Sequence, residues 1–214
     1  MREPDWSAAA RALLSGCVDL PTGEQRLALL EQVCRGLGDA LYPDFLNLLA
    51  VIGERGDAQA CGVLAQTLLE GLQSGRLPSG RRQAWGSALG AGAFGAGRTL
   101  GPLEYLCASR DGDAVADPAA EGRFMRQGGA LLRLIDCDAG ARRLYIQRLA
   151  ALAADPVEGG LSRPARRALT GMAEAWAQGL APDAVCQRYL NALSDGRGSS
   201  LAALAAASGG REIR

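Results

Sequence analysis

The chain has 214 residues, 23 of them basic and 23 acidic, so it is electrically neutral and long enough for one domain or two small ones with a buried core. Every basic residue is Arg; there is no Lys and no His. Those two absences exclude Ser-His-Asp and Cys-His nucleophile pairs, imidazole general bases, Schiff-base and P-loop lysines, and every zinc or haem site built on histidine.

Ala (40) and Leu (33) far outnumber Val, Ile and Thr, which total 15, and that balance predicts helices nearly throughout. Along the chain, Asp5 or Ser7 opens a first helix that runs to about Ser15. Leu20-Pro21-Thr22-Gly23-Glu24-Gln25 is a start signal, with Thr22 as N-cap and Gln25 completing a capping box. Leu27, Leu30, Cys34 and Leu37 then form one apolar stripe, Glu31 and Arg35 pair on the other face, and Gly36 and Gly38 supply the stop. Pro43-Asp44 begins a third helix, Phe45 to Ile52, apolar on nearly every side and therefore expected to be central. After the turn Gly53-Glu54-Arg55-Gly56, Asp57 caps a helix from Ala58 to Leu72. A further turn around Gly75 to Gly80 leads to Arg81-Arg82-Gln83-Ala84-Trp85. Pro102 suits the first position of a helix from Leu103 to Ser109, and Arg110 to Pro118 reads as a polar connection. The remaining helices are expected at about Gly122 to Ile135, Ala139 to Ala153, Pro164 to Gln178 and Pro182 to Leu193. The expected fold is all-α, about nine short helices in a single domain over residues 1–193. A flexible C-terminal tail, 194–214, is expected to follow, with a helical turn or two over 200–207.

An internal echo rises above this general helicity. Leu48-Leu49-Ala50-Val51-Ile52 lines up with Leu131-Leu132-Arg133-Leu134-Ile135 at an offset of 83. Asp57, Ala58, Ala60, Gln66 and Leu68 recur as Asp138, Ala139, Ala141, Gln147 and Leu149, at 81. Ser79, Arg81 and Arg82 find counterparts in Ser162, Arg166 and Arg167. The shifts fall in loops, where insertions are tolerated, and in a chain one-third Ala and Leu several of the matches arise by chance. The echo predicts two similar halves, 44–100 and 122–193. The segment Ile52 to Ala60, with Leu64 and Leu68 behind it, resembles the turn and second helix of a HEAT-type repeat over about twenty residues. The halves are expected to pack as an irregular bundle or as a short HEAT-like solenoid, whose groove would suit a protein or peptide.

Few motifs carry chemistry. Gly90-Ala91-Gly92-Ala93-Phe94-Gly95 matches the dinucleotide fingerprint by letter, but the stretch before it, Arg81 to Leu89, has no β-branched residue and reads as helix, not the required strand. Gly90, Gly92, Gly95 and Gly97 are candidates instead for a hinge between the halves, or for close helix packing. Asp111 to Asp117 lacks the glycine and glutamate of a calcium loop. The six cysteines stand at 17, 34, 61, 107, 137 and 186 with no C-x-x-C spacing, so no metal site is expected. Cys34, Cys61 and Cys186 lie within helical patterns as small buried hydrophobes.

Arg81, Arg82, Arg166 and Arg167 open their helices. A cation there opposes the helix dipole, so helix stability does not account for these residues. Paired arginines grip carboxylates and phosphates bidentately, which makes the four candidate partner- or anion-binding residues; salt bridges to Glu70, Asp155 or Glu158 are the structural alternative. Basic clusters on a neutral protein with thinly spread aromatics argue against nucleic acid. Charges near the start and the absence of a long apolar run predict a cytoplasmic protein with no membrane partner and no cofactor. The reading leans away from an enzyme and towards an adaptor, assembly chaperone or regulatory subunit that binds a protein partner through a helical groove. The alternative is a small-ligand sensor or an enzyme using carboxylate, Arg and Tyr groups, which an acid facing Arg in a deep pocket would favour.

Overall fold

Side-chain caps determine where the helices begin. At Thr22 the backbone N–H of Gln25 donates to Thr22 Oγ1 at 3.3 Å, and Thr22 N–H donates back to Gln25 Oε1 at 3.4 Å, the reciprocal pattern of a capping box. Asp57, Asp117, Asp138 and Ser162 accept from backbone amides two or three residues ahead, at 2.6 to 3.2 Å. Each cap satisfies an amide that the helix itself leaves without a partner, and is worth about 1 kcal/mol.

The structure is a computed structural model that describes residues 6–37, 41–74, 76, 102–112, 117–154 and 161–209. Among them lie nine helices and no strand: α1 (Trp6–Asp19), α2 (Gly23–Leu37), α3 (Leu41–Arg55), α4 (Ala58–Gln73), α5 (Pro102–Gly112), α6 (Pro118–Asp136), α7 (Ala139–Ala154), α8 (Arg163–Ala177) and α9 (Pro182–Gly209). The protein is an all-α packed bundle. No helix among the described residues is long and apolar enough to cross a membrane.

Several bounds differ from those the sequence predicts. Helix α3 starts at Leu41 because Pro43 sits in the first turn, where its missing N–H costs nothing. Helix α6 starts at Pro118, one residue after the Asp117 cap, so the connection from Arg110 is shorter than expected. Helix α9 runs past Leu193 to Gly209. The end of α8 is a Schellman motif: Gly179 N–H donates to Trp176 O at 3.0 Å and Leu180 N–H to Ala175 O at 3.1 Å. Gly179 closes it at φ +84, a conformation that a side chain would strain.

Helices α1 to α4 pack on one another, as do α6 to α9, and α3 lies along α6 where the two groups meet. Helix α5 bridges α3, α6 and α8. The buried apolar side chains from Ala10 to Leu193 form one connected cluster. Leu48, Leu49 and Ile52 of α3 and Leu131, Leu132 and Ile135 of α6 are all buried in it, so the echoed residues occupy the same role in both helices. Each such side chain contributes about 1.5–3 kcal/mol of hydrophobic stabilisation. The α3–α6 crossing brings backbone against backbone: a Cβ at Gly53 would stand 2.1 Å from Ala130 O. Phe124 of α6 stacks on Tyr189 of α9 with centroids 5.1 Å apart, and Tyr189 Oη donates to Cys107 O of α5 at 2.8 Å.

Candidate functional site

The N-terminus of α8 carries the arginines that the sequence singles out. Ser162 caps the helix, with its Oγ accepting from Ala165 N–H, and Pro164 occupies the first turn. Period 3.6 then separates the basic side chains. Arg163 and Arg167 are one turn apart on the same exposed face, whereas Arg166 is turned inward and half-buried. Arg163 and Arg167 make no ion pair or hydrogen bond among the described residues, although most of the described arginines do. The next position on that face is Gly171, and Arg188 of α9 fills the space, its Nε 3.9 Å from where a Cβ at Gly171 would stand. Arg163, Arg167 and Arg188 thus form an exposed cationic row across α8 and α9. Sequence patterning misses Arg188, because its place depends on a contact between helices.

Arg81, Arg82, Gly90, Gly92, Gly95 and Gly97 lie outside the described residues.

A second set of charges lies inside. Among the described residues the buried polar side chains are Thr67, Glu104 and Arg110, and two of these belong to α5. Glu104, 2% exposed, sits in the first turn of α5, where the helix dipole favours a carboxylate. Arg148 Nε of α7 donates to its Oε1 at 2.7 Å. Arg110, near the other end of α5, reaches Glu121 of α6 at 3.0 Å. A third polar contact joins α6, α7 and α8. Trp176 Nε1 donates to Asp136 Oδ1 at 2.7 Å, and Arg142 Nε approaches the same oxygen at 3.5 Å. Burial pushes the Asp136 carboxyl above its ordinary value, while the Trp176 hydrogen bond and the Arg142 charge pull it back.

Five of the six cysteines are buried and Cys137 is exposed. Burial raises the thiols of Cys34, Cys61 and Cys186 to about 12 and that of Cys17 to about 11, which makes them inert hydrophobes rather than nucleophiles. No group of three Cys, Asp or Glu among the described residues is placed to hold a metal ion.

Compared with protein-family models, curated proteins and solved structures, the chain matches none.

Proposed function

We infer that the protein is a non-catalytic interaction module, an adaptor, assembly chaperone or regulatory subunit, that holds an acidic segment of a protein partner. The observation that carries this reading is the exposed row of Arg163, Arg167 and Arg188. Arg163 opens α8 and opposes its dipole, at a cost of roughly a few tenths of a kcal/mol. None of the three makes an ion pair among the described residues that would offset such a cost. Guanidinium groups one turn apart match successive carboxylates on a partner, and each pair formed would be charge-assisted and bidentate. Arg166, beneath the row, and Arg81 and Arg82, by the sequence echo, belong to the same reading. Charge reversal at Arg163→Glu and Arg167→Glu tests it. The wild type should retain a partner from extract of its native cell and release it as salt rises, while the double variant retains none at an unchanged melting temperature. Equal retention by both proteins would remove the row from the account.

A second reading, a small-ligand sensor or a carboxylate-and-arginine enzyme, is favoured by Glu104. Its Oε1 is held by Arg148, while the buried Oε2 has no hydrogen-bond donor among the described residues. A ligand bearing an N–H or O–H would satisfy that oxygen, whose isolation costs about 1–3 kcal/mol. A metabolite panel screened by thermal shift on the wild type and on Glu104→Gln separates the readings: a ligand that stabilises only the wild type favours the sensor.

A further inference from the structure

Gly171 stands in the middle of α8, where glycine costs helix stability relative to alanine because it has more backbone freedom to lose. Elsewhere in the bundle the structure requires glycine. A Cβ would stand 2.1 Å from Ala130 O at Gly53 and 2.7 Å from Pro164 Cβ at Gly196, and Gly179 has a positive φ. At Gly171 neither reason applies. Its φ is not positive, and among the described residues the one atom near its Cβ position is Arg188 Nε, at an ordinary 3.9 Å. Gly36 and Gly122 are as open, but they lie near the ends of their helices.

The surroundings of Gly171 are cationic. Arg163 and Arg167 precede it at one-turn intervals on the same face, and Arg188 reaches it from α9. All three are exposed and make no ion pair among the described residues. Thr170, beside Gly171, is folded back on its own helix, with its Oγ1 donating to Arg166 O at 3.1 Å. Glu174, exposed one turn further on, ends the row with the opposite charge. Gly171 is thus a notch in the α8 surface bordered by guanidinium groups. Arg163 and Arg167 lie about 6 Å apart along the helix axis. Alternate side chains on one edge of an extended chain stand about 6.7 Å apart, a spacing that flexible arginines can meet.

We propose that Gly171 seats an extended acidic segment of a partner protein. The segment's main chain passes close over the α8 backbone at the notch, while its alternate carboxylates meet Arg163 and Arg167 and a further one meets Arg188. The proposal rests on the cationic row being the partner's contact, and it gives that contact a form: extended, with alternating acids, and with no acid beside Glu174, which would repel it. A side chain at position 171 would hold the partner's main chain off α8 and lift its carboxylates away from the arginines.

A fluorescein-labelled peptide of four Glu-Ser repeats, titrated with the full chain at low salt and followed by anisotropy, tests the proposal. The wild type should bind it and should not bind the Lys-Ser counterpart. Gly171→Ala should weaken binding several-fold, and Gly171→Leu by about tenfold or more, although every arginine is retained. Both variants should melt at or above the wild-type temperature, because both residues are better helix formers than glycine. Affinity lost while stability is kept is not what a packing role would give. If the Gly171 variants bind as the wild type does, while Arg163→Glu with Arg167→Glu abolishes binding, the notch is overturned and the cationic row stands. If the wild type does not bind the peptide, or binds it equally well with both arginines reversed, the row fails together with the notch. Tighter binding of a single-stranded oligonucleotide of equal charge would assign the surface to nucleic acid and likewise overturn the proposal.

Discussion

Gln66 Nε2 of α4 donates to Asp138 Oδ2 at 2.8 Å, while the other carboxylate oxygen of Asp138 accepts from Ala141 N–H at 2.6 Å. One side chain therefore caps α7 and ties it to α4. Asp57 caps α4 in the same way, through Ala60, but Asp138 has the added bond across the two hairpins. The Ala141 amide, first of all, and then Gln66 hold the Asp138 carboxyl below its ordinary value.

Asp138→Ala should therefore cost about 1 kcal/mol at neutral pH, the ordinary worth of such a cap. A carboxyl lowered by folding contributes stability that is present above the unfolded value and is lost as pH falls through the folded one. Urea melts of wild type and variant should thus show a gap that is constant near neutrality and narrows in acid. A gap that does not change with pH would mean that the charge at Asp138 plays no part.

Two glycines, one at the α3–α6 crossing and one away from it, predict opposite outcomes. At Gly53 a methyl group would meet the Ala130 carbonyl at 2.1 Å, and backbone cannot swing aside as a side-chain tip does. Gly53→Ala should destabilise by about 2–3 kcal/mol or more, as over-packing does. Gly122, in the first turns of α6, has nothing within 4 Å of its Cβ position, and Gly122→Ala should stabilise by about 0.5–1 kcal/mol. Thermal melts of both variants check the pair together.

Thiol accessibility should separate Cys137 from the rest. With Ellman's reagent at mildly alkaline pH, the native protein should release one equivalent first, from Cys137, with five more appearing only on unfolding. Several fast equivalents would contradict the burial of Cys17, Cys34, Cys61, Cys107 and Cys186.

Trp176→Phe removes the indole donor to Asp136 and should cost about 2–3 kcal/mol at neutral pH, combining a lost charge-assisted bond with a small cavity. In the wild type the folded carboxyl is raised, so its favourable contribution is complete below the unfolded value and is lost as pH rises through the folded one. Without the indole the carboxyl rises further. The penalty of the variant should therefore shrink in acid, where Asp136 is protonated in both proteins, and denaturant melts at neutral and acid pH read that difference.

Helix starts are legible in the amino-acid sequence because capping is local. Thr22 and Gln25, Asp57 and Ala60, and Asp138 and Ala141 sit within a few residues of each other, and hydrogen bonds of that span need no tertiary partner. The pairing of Glu31 with Arg35 is legible for the same reason, yet the fold gives Glu31 a closer partner, Arg76 at 2.7 Å. Arg166 and Arg167 stand out in the sequence as first-turn cations, but period 3.6 and packing turn only Arg167 outward and bring Arg163 and Arg188 beside it. The pairing of buried Glu104 with half-buried Arg148 leaves no sequence signal, since the two residues are joined across two helices.

Composition by itself determined the helical class of this protein and which chemistries its own side chains cannot supply. Abundant Ala and Leu with few β-branched residues dictate helices, and the absence of His and Lys removes whole classes of catalysis whatever the fold. Tertiary structure alone decided which cysteine meets solvent and which arginines share a face. Those properties depend on where helices distant in sequence cross, and at Gly53 and Gly62 that is set by how closely one backbone can approach another.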